Sequence, residues 1–168
     1  DGEEDMQRDY LINLPEQKDI EIRNLTFRYY GAGNEPIFTK LNLHFPAGKT
    51  TAIVGTSGSG KTTILKLLLR FYNSEEGEIF VGGKRLEQID FALWREACGA
   101  VLQDNYVYAD TIERNIAVND EFPDQRRLQN AIEIANLTEF ISEQPFGLAT
   151  KIGTAGKGVS QGQRQRLM

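Results

Sequence analysis

Apolar and polar positions alternate along the chain from Asp19 to Phe45, and the alternation changes phase once. Ile20 and Ile22 alternate with Glu21 and Arg23, a period of two that predicts a half-buried strand. Beyond Asn24 the apolar positions fall at Leu25 and Phe27 instead. One extra residue turns every later side chain to the other face, so a bulge or bend near Asn24 reconciles the two phases. Gly31-Ala32-Gly33-Asn34-Glu35-Pro36 reads as a loop, and Pro46-Ala47-Gly48-Lys49 as a turn. The apolar run Thr51-Ala52-Ile53-Val54 is strand-like. The period then becomes helical: Ile64, Leu67, Leu68 and Phe71 stand at i, i+3, i+4, i+7 within Thr63–Phe71, with Lys66 and Arg70 on the opposite side. Gly77–Gly83 reads as a short strand closing in a turn, and Val101-Leu102-Gln103 ends another strand. From Asp110 to Asn136 the pattern is helical again. Its clearest stripe is Leu128, Ala131, Ile132 and Ala135, after Pro123, which suits a helix start. Residues 1–18 are polar and acidic, with Pro15, and are expected to be a linker. No internal repeat or low-complexity tract is present.

Composition narrows the class. A chain of 168 residues fits one domain or part of a larger one, and 40% hydrophobic residues are enough for a packed core. No apolar run is long enough to span a bilayer, and Asp1-Gly2-Glu3-Glu4-Asp5 is the opposite of a signal peptide. The net charge of −5 argues against a nucleic-acid-binding surface, so no nucleic-acid partner is expected. Cys98 is the single cysteine and cannot form an internal disulfide, which points to a reducing compartment. Among Ala97, Gly99 and Ala100 it reads as a buried structural thiol. His44, the single histidine, is expected on the solvent side of a strand, and one histidine with one cysteine cannot build a zinc site.

The candidate chemistry lies between the strand-like run at Thr51–Val54 and the helix that follows it. Gly55-Thr56-Ser57-Gly58-Ser59-Gly60-Lys61-Thr62 fits G-x-x-x-x-G-K-[ST] at every fixed position. Glycines let successive backbone N–H groups turn inward around a phosphate without Cβ clashes. The helix start, at Thr63 and its neighbours, adds free N–H groups and a positive dipole end. Lys61 adds a full charge at the β- and γ-phosphates, and the Thr62 hydroxyl is suited to a Mg²⁺ ligand. A nucleotide bearing β- and γ-phosphates, with Mg²⁺, is therefore the expected ligand pair. Strands around a phosphate loop, followed by a helical insert, argue for an α/β nucleotide-binding fold.

A second motif carries a family resemblance. Gly158-Val159-Ser160-Gln161-Gly162-Gln163-Arg164-Gln165-Arg166-Leu167 resembles the signature motif of ATP-binding-cassette (ABC) ATPases, usually Leu-Ser-Gly-Gly-Gln before a basic helix. Val159 replaces the leucine and Gln161 the first glycine, while Ser160, Gly162 and Gln163 remain. The resemblance runs from about Ile20 to Leu167 and implies a P-loop NTPase core with an antiparallel β part and a helical subdomain. It implies that Ser160, Gly162 and Gln163 touch the ATP held by the phosphate loop of a second copy, so a dimer of two such domains is expected. Gln103 matches the Q-loop glutamine, which in relatives reaches the Mg²⁺ and the attacking water. Tyr29 matches the aromatic that stacks on adenine; a strand aromatic packed on the core is the alternative, and Tyr30 competes for the role.

Tyr106-Val107-Tyr108-Ala109-Asp110-Thr111-Ile112-Glu113-Arg114-Asn115-Ile116 looks like the exporter pattern, as do Phe140-Ile141, Pro145-Phe146-Gly147 and Ile152-Gly153. In exporters a groove beside the Q-loop receives a coupling helix from the transmembrane part. Tyr106, Val107 and Tyr108 are the expected apolar floor for it. Thr154 stands where exporters often carry an acidic residue, which puts an ionic contact there in doubt. Gln161 leans toward peptide or bacteriocin exporters that carry a peptidase domain. The implied organisation is a linker at 1–18, a β part with the P-loop core at 19–103, and the helical subdomain at 104–168, on the cytoplasmic face of a membrane.

In the family the Walker B aspartate, the catalytic glutamate and the switch histidine follow the signature, and they are expected beyond Met168. This stretch alone is then expected to bind nucleotide without turnover, with partial or non-standard order and unpaired strand edges. Two alternatives stay open. A cassette ATPase of DNA repair or chromosome organisation would want a basic surface or a coiled-coil insertion. A non-catalytic nucleotide-binding module would bind without turning over. A kinase using the same loop would have no reason for the signature.

Overall fold

Strand β1 (Ile20–Phe27) buries Ile22, Leu25 and Phe27, and the change of phase read from the sequence is a bulge at Asn24, whose φ is +48°. Its register with β2 (Phe38–Phe45) runs antiparallel from Ile20 opposite Phe45 to Ile22 opposite Leu43, then jumps to Leu25 opposite Leu41. A second irregularity lies at Lys40, with φ +52°. His44 is on the solvent side of β2, as expected. Strands β3 (Glu76–Val81) and β4 (Lys84–Arg85) complete an antiparallel sheet of order β2-β1-β3-β4. The β3–β4 turn uses Gly82 and Gly83, both at positive φ, which suits a two-residue hairpin loop.

The computed structural model describes residues 10–31, 35–102, 106–118, 120–153 and 158–168. It divides into two units, Asp1–Gly99 and Ala100–Met168. In the first, helix α1 (Lys61–Leu68) lays Ile64 and Leu67 on Ile22, Leu25, Phe27 and Phe38 of the sheet. A fully buried leucine such as Leu67 contributes about 1.5–3 kcal/mol. The helical period predicts a helix as far as Phe71, but α1 stops at Leu68, since Arg70 has φ +56° and Phe71 is exposed. Helix α2 (Phe91–Glu96) closes a second cluster, with Trp94 against Val81, Leu86 and Ile89. Within residues 1–18, expected to be a linker, Leu11 and Leu14 pack against this cluster. Cys98 is half-buried there, and burial pushes its thiol above the ordinary range.

Two expected strands do not form. Thr51–Val54 and Val101–Leu102 have no ladder partner among the described residues, and Val54 is 87% exposed. Only Ile53 of that run packs on the sheet cluster. An apolar run becomes a strand only when another strand bonds its N–H and C=O groups, and neither run joins the β2-β1-β3-β4 sheet.

The second unit is helical. The pattern from Asp110 to Asn136 is two helices, α3 (Ile112–Ile116) and α4 (Gln125–Ile134), rather than one. Leu128 and Ile132 of α4 are buried and Ala135 is partly so, while Ala131 is exposed. Helix α5 (Thr138–Ser142) adds Phe140, and α6 (Gln161–Arg166) ends at the buried Leu167. None of the helices is long and apolar enough to cross a membrane, among the described residues.

Candidate phosphate-binding site

Gly60 shapes the site. It is the N-cap of α1 at φ +88°, a left-handed conformation that L side chains resist. A Cβ there would lie 2.5 Å from Phe38 Cζ and 2.9 Å from Ile37 Cγ2. Glycine is thus required both by the turn and by the approach of β2. Gly58 has φ +80°, but a Cβ would meet nothing within 4 Å, so the space over it is open. The Ser59 N–H donates to the Thr56 carbonyl at 3.3 Å, tightening the loop. The Ile64 N–H donates to the Gly60 carbonyl at 3.0 Å, the first bond of the helix.

Helices α2, α3, α4 and α6 begin on Asp90, Thr111, Asp124 and Ser160, each accepting from a backbone N–H three residues on. Helix α1 has no side-chain cap. Its leading N–H groups therefore remain as donors at a positive dipole end. The Lys61 ammonium curls back over the loop and donates to the Gly55 and Thr56 carbonyls at 2.9 and 2.6 Å, with the Ser59 hydroxyl at 3.4 Å. All three acceptors are neutral, and no carboxylate pairs with Lys61 among the described residues. A cation held by neutral acceptors at an uncapped helix start suits an anion, and the open loop fits phosphate groups. Thr62, the second helical residue, is exposed beside it.

Tyr29 belongs to the same unit and reaches the same helix. Its hydroxyl and that of the buried Thr63 share a 3.0 Å hydrogen bond. Its ring meets Phe27 and Tyr72 edge-on, each at 5.1 Å between centroids. One edge of Tyr29 is thus anchored in the core, while Tyr30 is 97% exposed. Asp19, Glu21 and His44, on the outer face of the sheet, bring three metal-capable atoms within 4.8 Å of one another, but Arg23 already binds Glu21 at 2.8 Å.

The second unit holds the signature residues. Ser160 Oγ accepts from the Gln163 N–H at 3.2 Å, and Gln163 Oε1 accepts from the Ser160 N–H at 2.9 Å. This capping box starts α6. It consumes acceptors, leaving the Ser160 hydroxyl proton and the Gln163 amide protons available to an oxygen ligand. A Cβ at Gly162 would meet nothing within 4 Å, so local packing does not demand that glycine. Gln103 and Thr154 lie outside the described residues.

Of the three residues expected to floor a docking groove, Val107 instead points into the core and is 1% exposed. Tyr106 and Tyr108 are exposed and stack edge-to-face at 5.2 Å. Two residues apart on extended chain, they share one face and Val107 takes the other. Sequence reasoning missed what holds them: the buried Asn115 side chain accepts from the Tyr108 N–H at 2.7 Å and donates to the Tyr108 and Thr111 carbonyls at 3.1 and 2.8 Å. An asparagine at a position of the helix stripe was the available signal.

Comparison with known proteins agrees with these features. The family model described as ABC transporter matches residues 38–168. The ATP-dependent lipid A-core flippase of Escherichia coli K12 is 41% identical over 150 residues, covering 89% of this chain and 26% of that protein. An uncharacterized ABC transporter ATP-binding protein of Sinorhizobium fredii is 36% identical over 162 residues, covering 96% of this chain and 27% of its own length. The structure of a bacterial Atm1-family ABC exporter with ATP bound superposes with a TM-score of 0.84 at 33% identity, over 94% of this chain and 28% of that one. The chain thus spans about a quarter of the length of the relatives it matches.

Proposed function

The chain belongs to the ABC transporter family, and on that premise we propose that it is part of the nucleotide-binding domain of an exporter, binding MgATP at Gly55–Thr63 and driving transport in a larger protein. One observation carries the reading: the Lys61 ammonium rests on three neutral acceptors of its own loop at the uncapped start of α1. Phosphate oxygens would exchange those weak acceptors for charge-assisted bonds, which are shorter and stronger. Bound Mg²⁺ would supply charge neutralisation across the β- and γ-phosphates, with the Thr62 hydroxyl and Gln103 as its protein ligands. Tyr29 would present its ring to the adenine, its hydroxyl held by Thr63 and its ring braced by Phe27 and Tyr72. A face of the ring recognises any flat base, so ATP and GTP should bind alike.

The assembly belongs to the same proposal. Ser160, Gly162 and Gln163 would complete the ATP site of a second copy, using the donors that the capping box leaves over. Tyr106 and Tyr108 would receive the transmembrane part, placing the domain at the cytoplasmic face of a membrane. Calorimetric titration of the full chain with MgATP tests the first step. Micromolar to millimolar binding that Lys61→Ala weakens supports the reading, and binding indifferent to that change sinks it. Tyr29→Ala should weaken ATP and GTP equally, by about 1–3 kcal/mol, with Tyr30→Ala mattering less; the reverse order would move the base to Tyr30.

A further inference from the structure

Residues 10–18 are fastened to the first unit by more than apolar contact. Leu11 pairs with Ile89 in a parallel bridge, its N–H donating to the Gln88 carbonyl at 2.8 Å and its carbonyl accepting from the Asp90 N–H at 3.3 Å. Leu11 and Leu14 pack against the cluster of Val81, Leu86, Ile89 and Trp94. Further along, Pro15 and Gln17 lie so close to Gly82 that a Cβ there would overlap the Gln17 carbonyl oxygen and Pro15 Cβ. The β3–β4 turn is thus shaped to let this segment pass over it.

The segment bridged by Leu11 also clamps the far end of the phosphate-loop helix. The Arg70 Nη1 donates to the Ile89 carbonyl at 2.8 Å, so Ile89 is held by Arg70 while its neighbours Gln88 and Asp90 are held by Leu11. The Trp94 Nε1 donates to the Leu68 carbonyl at 2.7 Å, and the Arg95 guanidinium reaches the Leu69 carbonyl at 3.4 Å. These are the last carbonyls of a helix whose eight residues span about 12 Å at about 1.5 Å per residue. Helix α1 is thus gripped at Leu68–Arg70 by elements that residues 10–18 brace, while its other end carries Gly60 and Lys61.

We propose that residues 10–18 act as a strap that positions the phosphate loop through the C-terminal end of α1, with Arg70 and Trp94 as the positioning residues, so that strap docking and nucleotide binding reinforce each other. The inference rests on the reading of Gly55–Thr63 as a nucleotide site. Linkage makes the effect reciprocal: bound nucleotide should tighten the strap, and releasing the strap should weaken nucleotide binding.

The test uses the full chain and MgADP, with affinity read by calorimetry and strap docking read by amide hydrogen exchange at Leu11 and Asp90. Trp94, the single tryptophan, reports on the joint by its emission. Leu11→Asp should speed exchange at Asp90, shift Trp94 emission to the red and weaken MgADP about fivefold or more. Arg70→Met, which leaves the strap's own contacts in place, should weaken MgADP in the same direction, and Arg70→Lys should recover most of the loss. In the unaltered chain MgADP should slow exchange at Leu11. Should Leu11→Asp fail to fold, Arg70→Met with its lysine rescue and the Leu11 exchange of the unaltered chain decide together. Unchanged affinity in a folded variant whose strap or Arg70 clamp is demonstrably released overturns the strap, as does Leu11 exchange indifferent to MgADP. Failure of the unaltered chain to bind MgADP overturns the nucleotide reading itself, and the strap with it.

Discussion

Helices α1 and α6 each follow a glycine- and serine-bearing turn, yet Gly60 leaves the first N–H groups of α1 without a side-chain cap, whereas the Ser160 and Gln163 side chains each take up the other's N–H at the start of α6. The difference lies in which atoms remain for a ligand. At α1 the backbone donors and the Lys61 charge stand together, an arrangement that suits an anion. At α6 the capping box takes up the Ser160 and Gln163 N–H groups, so fewer backbone donors remain and no lysine adds its charge beside them. Glycine also has different meanings in the two places. Gly60 is forced by its φ and by the Phe38 ring, while Gly162 has helical neighbours and open space around it.

The sharpest way to break this contrast is Gly60→Ala. The added methyl meets Phe38 and holds a left-handed φ, costing about 3 kcal/mol in stability of the first unit. Urea unfolding followed by Trp94 emission should show it as a lowered midpoint, and an unchanged midpoint would mean that β2 gives way easily. Lys61→Ala comes next. It should leave the fold intact and remove about 2 kcal/mol from MgATP binding, roughly a thirtyfold loss, read by calorimetry. Ser160→Ala should cost the second unit about 1 kcal/mol through the lost cap, visible as faster amide exchange at Gln163. Its effect on MgATP bound at the phosphate loop of the same monomer should be nil; a clear effect would show that the two units share a site within one copy. The smallest change is Gly162→Ala, which should stabilise α6 by about 0.5–1 kcal/mol, since alanine suits a helix better and nothing crowds it. If that variant also lowers ATP turnover in a full-length dimer, the glycine serves an approaching ligand rather than the helix.

Local order was legible where neighbouring residues suffice. The phase change at Asn24, the turn at Gly82-Gly83, the stripe of Ile64 and Leu67 and the start of α4 after Pro123 each follow from chemistry within a few residues. Of the candidate site, the glycine turn into α1 was legible because Gly58 and Gly60, both at positive φ, stand at fixed short spacing before the helix. The exceptions depend on distant partners. Val107 reads as apolar floor until Asn115 pins Tyr108 and turns the two tyrosines outward. The helix expected to reach Phe71 ends at Leu68, where Trp94 and Arg95 take up the carbonyls of Leu68 and Leu69.

The sequence by itself determined the glycine turn into α1, the capped start of α6, the alternation of β1 and the family, because each is a pattern of residue types at fixed short spacing. Only the tertiary structure decided that Thr51–Val54 stays without a ladder, that Tyr29 is tied to Thr63, and that Leu11 and Leu14 are packed rather than free. The physical reason is common to all three. A strand, an anchored ring and a docked segment exist only through groups supplied from elsewhere in the chain, and no local pattern records which of those groups will arrive.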